Sequence, residues 1–203
     1  MMKRIAFVCM VLVLALGGLS AEILDFNLGF STLFNVNADA YEEDDENALL
    51  DLANYNFGLD ARLKVMILEA TALALYNKQP AEDLAVGDIH DYYETSLLLT
   101  AGLAFDFMDT VRLGFGLGPR VRSLHKDGDS YTLRDGFLDP DGDLWQDAPW
   151  SYRLTVDLLL KPVAFSVSYV LDTDYTLHEN DWGDLFSTNW DSGKFGASVL
   201  LNW

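Results

Sequence analysis

The chain has 203 residues, with 32 acidic against 13 basic side chains, a formal net charge of −19 and a single cysteine. That sign excludes a polyanion such as nucleic acid as partner, and one cysteine cannot form a disulfide framework within the chain. Half of the residues are apolar, yet past the N-terminal segment no apolar run reaches the 18 residues or so that a membrane-spanning helix requires.

Met1-Met2-Lys3-Arg4 is a short basic segment, followed by apolar residues from Ile5 to Leu16 and then by Gly17-Gly18-Leu19-Ser20-Ala21. This order predicts a secretory signal peptide, residues 1–21, cleaved after Ala21. A retained transmembrane helix is the competing reading, but the run is shorter than the roughly 20 residues that span a bilayer. Cys9 lies before most of the apolar run, which argues against a lipidated N-terminus and leaves residues 22–203 without a thiol. Cleavage removes Lys3 and Arg4, so the mature chain carries 11 basic and 32 acidic side chains, formally −21. Its length fits one domain, and no Pro/Ser-rich linker divides it.

From Leu24 onward the apolar residues recur with period two, which is the pattern of strands with one greasy face. The first strand, about Leu24 to Phe34, sets Phe26, Leu28 and Phe30 against Asp25, Asn27 and Gly29. The second, about Asn56 to Ile67, sets Phe57, Leu59, Leu63 and Val65 against Gly58, Asp60, Arg62 and Lys64. Leu68-Glu69-Ala70 is expected as a turn, after which Thr71, Leu73 and Leu75 share the apolar face of a shorter third strand; by propensity, Leu63 to Leu75 fits a short helix as well. Thr95 to Phe107 and Val111 to Arg122 form a hairpin around Met108-Asp109-Thr110, with Leu97, Leu103, Phe105, Leu113 and Phe115 on one face and Arg112, Gly114, Gly116, Gly118, Arg120 and Arg122 on the other. Trp150 to Leu160 and Val163 to Leu171 flank the turn Lys161-Pro162, and Lys194 to Trp203 is the last strand. Eight strands result.

Their connections alternate in length. Three are tight, and four, at about 35–55, 78–92, 125–149 and 173–192, are long and hold 23 of the 32 acidic residues. Soluble meanders have no reason to keep all short turns at one end, whereas outer-membrane barrels have short periplasmic turns and long external loops. The fold class expected is therefore all-β: an eight-stranded antiparallel up-and-down transmembrane β-barrel with short periplasmic turns and four long external loops. A soluble barrel of lipocalin kind would turn the apolar face inward instead.

The final strand, Lys194 to Trp203, has an aromatic last residue and apolar residues at every second position before it. It resembles the C-terminal signal through which outer-membrane barrels are recognised by their assembly machinery. Leu113-Gly114-Phe115-Gly116-Leu117-Gly118-Pro119-Arg120 resembles the glycine-rich strand of small eight-stranded barrels of the opacity-protein, attachment-protein and OmpW-like kinds and of similar spirochaete proteins. The resemblance implies an outer-membrane location and identifies no functional residue.

An eight-stranded barrel is just wide enough for side chains to fill, so an open porin is not expected. Arg62, Lys64, Arg112, Arg120, Arg122, Arg153 and Lys194 point inward, with Asp25, Asp60, Asp106, Asp157 and Asp172 on the same side. Shielded charges are costly unless paired, so a lumen charge network is expected; the surplus of arginines leaves open a narrow anion path. Glycines 114, 116 and 118 either make room for long side chains or permit strong strand coiling. Pro119 predicts a bulge or an end of regular pairing. Aromatic belts are expected at both interfaces, with Phe26, Phe105, Phe107, Phe165 and Trp203 at the tight-turn end and Phe34, Phe57, Trp150, Tyr152, Tyr169 and Phe195 at the loop end.

In the third loop, Asp139, Asp141 and Asp143 alternate around a turn, a spacing that Ca2+ uses, but the bidentate glutamate of a complete EF-hand loop is missing and an ordinary Asp/Gly turn is the better reading of the pattern. Tyr41-Glu42-Glu43-Asp44-Asp45-Glu46 reads as a solvated charge run. Trp145, Trp150, Trp182, Phe186 and Trp190 either pack over the barrel mouth or form a contact patch. His90, His125 and His178, with Ser130, Ser187 and Ser192, form no spacing that singles out a catalytic triad, so no enzyme is expected. The function implied is structural or surface-interacting through acidic loops, with membrane lipid and an undefined external ligand as partners. The alternative is a narrow channel or a binding pocket for small or hydrophobic molecules, as OmpW-like resemblance implies.

Overall fold

The computed structural model describes residues 24–34, 54–77, 93–107, 110–126, 129–134, 137–139, 143–179, 181–188 and 193–203. The signal peptide, the acidic run 41–46, His90, Asp141, Trp190 and Ser192 lie outside the described residues. Among the described residues no helix is long and apolar enough to cross a membrane; the architecture is built from strands.

Eight strands close on themselves: β1 (Leu24–Phe34), β2 (Tyr55–Val65), β3 (Leu68–Asn77), β4 (Tyr93–Phe107), β5 (Val111–Lys126), β8 (Trp150–Leu160), β9 (Val163–Asp172) and β10 (Lys194–Asn202). Each pairs antiparallel with its neighbour in the chain, apart from the short β6 and β7 inserted between β5 and β8. β10 returns to β1, with Phe30 opposite Val199. Closure leaves no free edge among these eight strands and satisfies the backbone within the wall, the condition for a sheet in hydrocarbon. The inserted strands, β6 (Asp129–Arg134) and β7 (Phe137–Asp139), extend β5 as a hairpin. The third long connection, expected as a loop from residue 125, thus begins as a continuation of the sheet.

The period-two pattern has the polarity of a membrane protein. Phe30 is 77 % exposed and Val156 53 %, whereas Arg62, Arg112, Arg120 and Arg153 are at most 2 % exposed. A wall with its phenylalanines outside and its arginines inside excludes the lipocalin arrangement.

One turn differs from expectation. β2 ends at Val65 and β3 begins at Leu68, so the tight turn is Met66-Ile67 rather than Leu68-Glu69-Ala70. Met66 takes a left-handed φ of 59° there. The shift reverses which face each β3 residue presents: Leu68, Ala70 and Ala74 are exposed, and Glu69, Thr71, Leu73 and Leu75, three of them expected outside, are buried in the lumen. With a period of two, a turn misplaced by an odd number of residues flips every side chain that follows. The segment is strand, not helix, because β2 and β4 supply ladders on both sides: Ala72 lies opposite Ala61 and Leu99.

Pairing of β5 with β8 ends at Pro119 opposite Trp150. On the β4 side it lapses between Leu117 and Arg120 and resumes in the same register, so no residue is inserted and there is no bulge. At the glycines of β5 no crossing arginine takes the space among the contacts nearest them. At Gly118 a Cβ would strike the carbonyl of Leu99, so this position needs close backbone approach; at Gly114 the space is taken by Thr155 and Glu69.

Candidate functional site in the lumen and at the loop rim

The lumen contains three layers along the barrel axis. The middle ionic layer centres on Asp60. Its carboxylate accepts from Arg62 Nη2 at 2.6 Å, from Arg153 Nη2 at 2.5 Å and from Ser198 Oγ at 3.1 Å. Arg62 also donates to Asp157 at 2.8 and 3.0 Å and to Ser166 at 2.8 Å, and Arg153 to Thr71 at 3.2 Å. Towards the tight-turn end this layer continues into Arg112, which donates to Asp106 at 2.6 Å and to Asp25, while Lys64 donates to Asp106. Asn202 and Asn27 complete the coordination of Asp25.

Above the Asp60 layer lies an apolar one. Ser31, Thr71, Thr100 and Ser168 face the polar middle; one inward position further towards the loops on the same strands stand Leu33, Leu73, Leu98 and Val170, which pack with Leu75 into one buried cluster. Beyond it is a second ionic layer at the loop end. Arg120 donates to Asp172 at 2.9 Å, Ser151 donates to the same carboxylate at 2.5 Å, and Arg122 holds Glu94 at 2.8 and 3.2 Å. Lys194, paired with Val170 across the ladder, lies in the field of Arg120 and Arg122 as well as of Asp172 and Glu94.

The sequence reading found the cations and missed two anions, Glu69 and Glu94. With them, the described inward side chains of the barrel strands comprise seven bases, Arg62, Lys64, Arg112, Arg120, Arg122, Arg153 and Lys194, and seven acids, Asp25, Asp60, Glu69, Glu94, Asp106, Asp157 and Asp172. The surplus of arginines behind the anion-path reading therefore disappears. Glu69 was hidden by the misplaced turn, whereas Glu94 stands in alternation with Ser96 and Leu98 just before the strand as read.

At the loop rim, residues 143–150 and 173–179 are bound together. Trp150 N–H donates to the Tyr175 carbonyl at 2.9 Å, and His178 N–H to that of Gln146 at 3.0 Å. The Trp150 and Tyr175 rings meet edge to face at 5.5 Å, and Tyr175 is buried. Trp145, Trp182 and Phe186 remain exposed. Asp143 accepts the N–H groups of Trp145 and Gln146 at 3.0 and 3.1 Å, and these amides hold its carboxyl below the usual carboxylate range. Its oxygen is thus engaged as a turn cap, while Asp139 stands at the end of β7. Among the described residues no group of three or more His, Cys, Asp or Glu is arranged to hold a metal.

The catalytic candidates do not converge among the described residues. His125 shares a hydrogen bond of 2.9 Å with Thr95 and stacks on Tyr93. His178 Nδ1 lies 3.8 Å from Asp147, and Ser187 donates to Asp174 rather than to a histidine.

Aromatics cluster at both ends of the wall. Phe26 stacks on Trp203 at 5.7 Å near the tight turns. At the loop end Phe34 meets Tyr55 at 4.8 Å, Tyr76 meets Tyr93 at 5.7 Å and Tyr169 meets Phe195 at 4.9 Å. An apolar exterior edged by aromatics around a charged, filled interior defines a small barrel of the outer-membrane type.

No family model and no curated protein sequence matches the chain. Among solved structures it is similar to Ail, the attachment invasion locus protein of Yersinia pestis, at 12 % identity and a TM-score of 0.42, covering 88 % of this chain and 95 % of that one. It is similar to Neisserial surface protein A (NspA) at 13 % identity and a TM-score of 0.43, with the same coverage. A structure of Ail in complex with the heparin analogue sucrose octasulfate matches at 12 % identity and a TM-score of 0.42, again covering 88 % and 95 %.

Proposed function

We propose that the chain is an outer-membrane barrel with a sealed lumen that presents acidic loops at the cell surface, in a structural or surface-interaction role. The observation that carries this reading is the apolar layer of Leu33, Leu73, Leu75, Leu98 and Val170. Hydrophobic constrictions exclude water and ions, and this cluster stands among ion pairs in a lumen whose seven inward bases and seven inward acids balance in total. Without a path through the barrel, the parts left for partners are the outer wall and the long connections, which hold 23 of the 32 acidic residues. Such loops favour basic partners, with an attraction that weakens as salt rises. The strand ending at Trp203 is the proposed contact for the assembly machinery, and residues 1–21 the proposed export signal.

Purified chain in a planar bilayer tests the sealed lumen. The expected result is no unitary conductance from the unaltered protein and none from Arg112→Ala or Arg120→Ala. Steps that change with either substitution would favour the narrow-channel reading instead. Shortening the second half of the chain's loops, with the barrel retained, is expected to remove salt-sensitive binding of displaying cells to a basic surface and to leave permeation unchanged.

A further inference from the structure

Residues 184–188 do not cover the barrel mouth; they lie against the outside of the wall. Tyr152 belongs to the outward face, since it pairs with Leu117 on one side and Leu171 on the other. Its hydroxyl donates to the Leu185 carbonyl at 3.0 Å. Leu171 is outward by the same register but only 2 % exposed, so something external covers it. The covering segment is pinned at its end by the Thr173–Thr188 bridge and by Asp174 N–H to the Ser187 carbonyl at 3.2 Å.

Between this segment and the wall runs a groove of about 310 Å³. Its floor is Tyr152, Leu154, Tyr169 and Leu171, with Phe115 on one flank and Phe186 and Thr188 on the other. Pockets of this size and apolar lining accommodate small apolar ligands. The floor is continuous with the apolar belt, because Leu154 is 42 % exposed and next to it along the same face Val156 is 53 % exposed. The upper lip reaches the aromatic belt, where headgroups and acyl chains meet. Phe186, 83 % exposed, extends the apolar surface outward from the segment.

We propose that this groove holds one acyl chain of a lipid from the surrounding leaflet, clasped between the wall at Leu154 and the 184–188 segment. The proposal rests on the membrane reading of the wall. A second copy of the chain is a poorer fit, because the floor runs at Leu154 and Val156 into the apolar wall that the membrane reading sets among acyl chains.

The test is nuclear Overhauser transfer from acyl methylenes to methyl groups, with the full chain in phosphatidylcholine bicelles. Expected are cross-peaks from lipid to Val156 and Val199 on the open wall and also to Leu171 and Thr188 within the groove. Leu154→Trp, which fills the groove, should abolish the last two and leave the first two. The wild-type measurement decides the matter even should that variant fail to fold. Lipid contacts at Val156 and Val199 with none at Leu171 and Thr188, or with intermolecular protein contacts there, would overturn the groove alone. Absence of lipid contacts at all four would overturn the membrane reading with it.

Discussion

Asp60→Asn isolates the central claim about the lumen, because one carboxylate there serves two arginines. The change keeps the side-chain shape and removes the charge. Arg62 retains Asp157 at 2.8 Å, but Arg153 is left with the Thr71 hydroxyl at 3.2 Å as its hydrogen-bond partner among the contacts given above. Both guanidinium groups are at most 1 % exposed, so solvent does not replace the lost anion. Breaking a buried ion pair by removing one partner costs about 3–5 kcal/mol. With a urea dependence of roughly 2 kcal/mol per molar, the unfolding midpoint should fall by about 2 M in vesicles of fixed composition, followed by tryptophan fluorescence and by heat-dependent gel mobility. Asp60→Asn combined with Arg153→Met removes both members and should return to within about 1 kcal/mol of the parent, since an absent pair costs far less than a broken one. A loss below about 1 kcal/mol for Asp60→Asn alone is the size expected of a hydrated surface pair and would refute a dry, tightly coupled lumen.

Val156→Arg places a charge on the apolar exterior and should cost about 2–4 kcal/mol at mid-depth; a change within about 0.5 kcal/mol in the same urea titration would mean that the wall faces water. Met66→Gly relieves the left-handed conformation at the β2–β3 turn and should raise the urea midpoint by an amount equivalent to about 0.5–1 kcal/mol; a lowered midpoint would assign the Met66 side chain a stabilising contact. Asp143 has a lowered pKa in the folded loop, so its contribution is complete above the usual carboxylate range and is lost as the pH falls through its own pKa. The protection of the Trp145 and Gln146 amides, taken as exchange relative to the intrinsic rate at each pH, should therefore fall on acidification, and Asp143→Ala should remove that pH dependence.

Barrel architecture was legible because closure and lipid impose the same rule on every strand: alternate, and turn the apolar set outward. Leu24 to Phe34, Thr95 to Phe107 and Lys194 to Trp203 obey it, and all three present the expected faces. The rule gives no information on phase where both faces are apolar or small. Between Leu63 and Leu75 the sequence offers Leu, Val, Met, Ile and Ala on either parity, and no Asn-Gly or Asp-Gly marks the turn. Ladder geometry settled what side-chain character left open: Val65 pairs with Leu68, and Arg62 with Thr71.

That single parity error bears on function, because the residues it hid complete the interior. Glu69 balances the arginine count, Thr71 receives Arg153, and Leu73 and Leu75 supply two of the five members of the apolar layer. Read with Leu73 and Leu75 outside, the lumen is a charged tube with excess arginine, which points to anion passage. Read with them inside, the lumen holds as many acids as bases and a buried hydrocarbon cluster between its ion pairs, and the case for anion passage loses its footing. The loop-rim device shows the complementary limit: nothing in the spacing of Tyr152, Leu171 and Phe186 reveals that a segment folds back over the lipid face. Such a contact depends on where a connection turns after leaving the sheet, and periodicity carries no information beyond the last ladder pair.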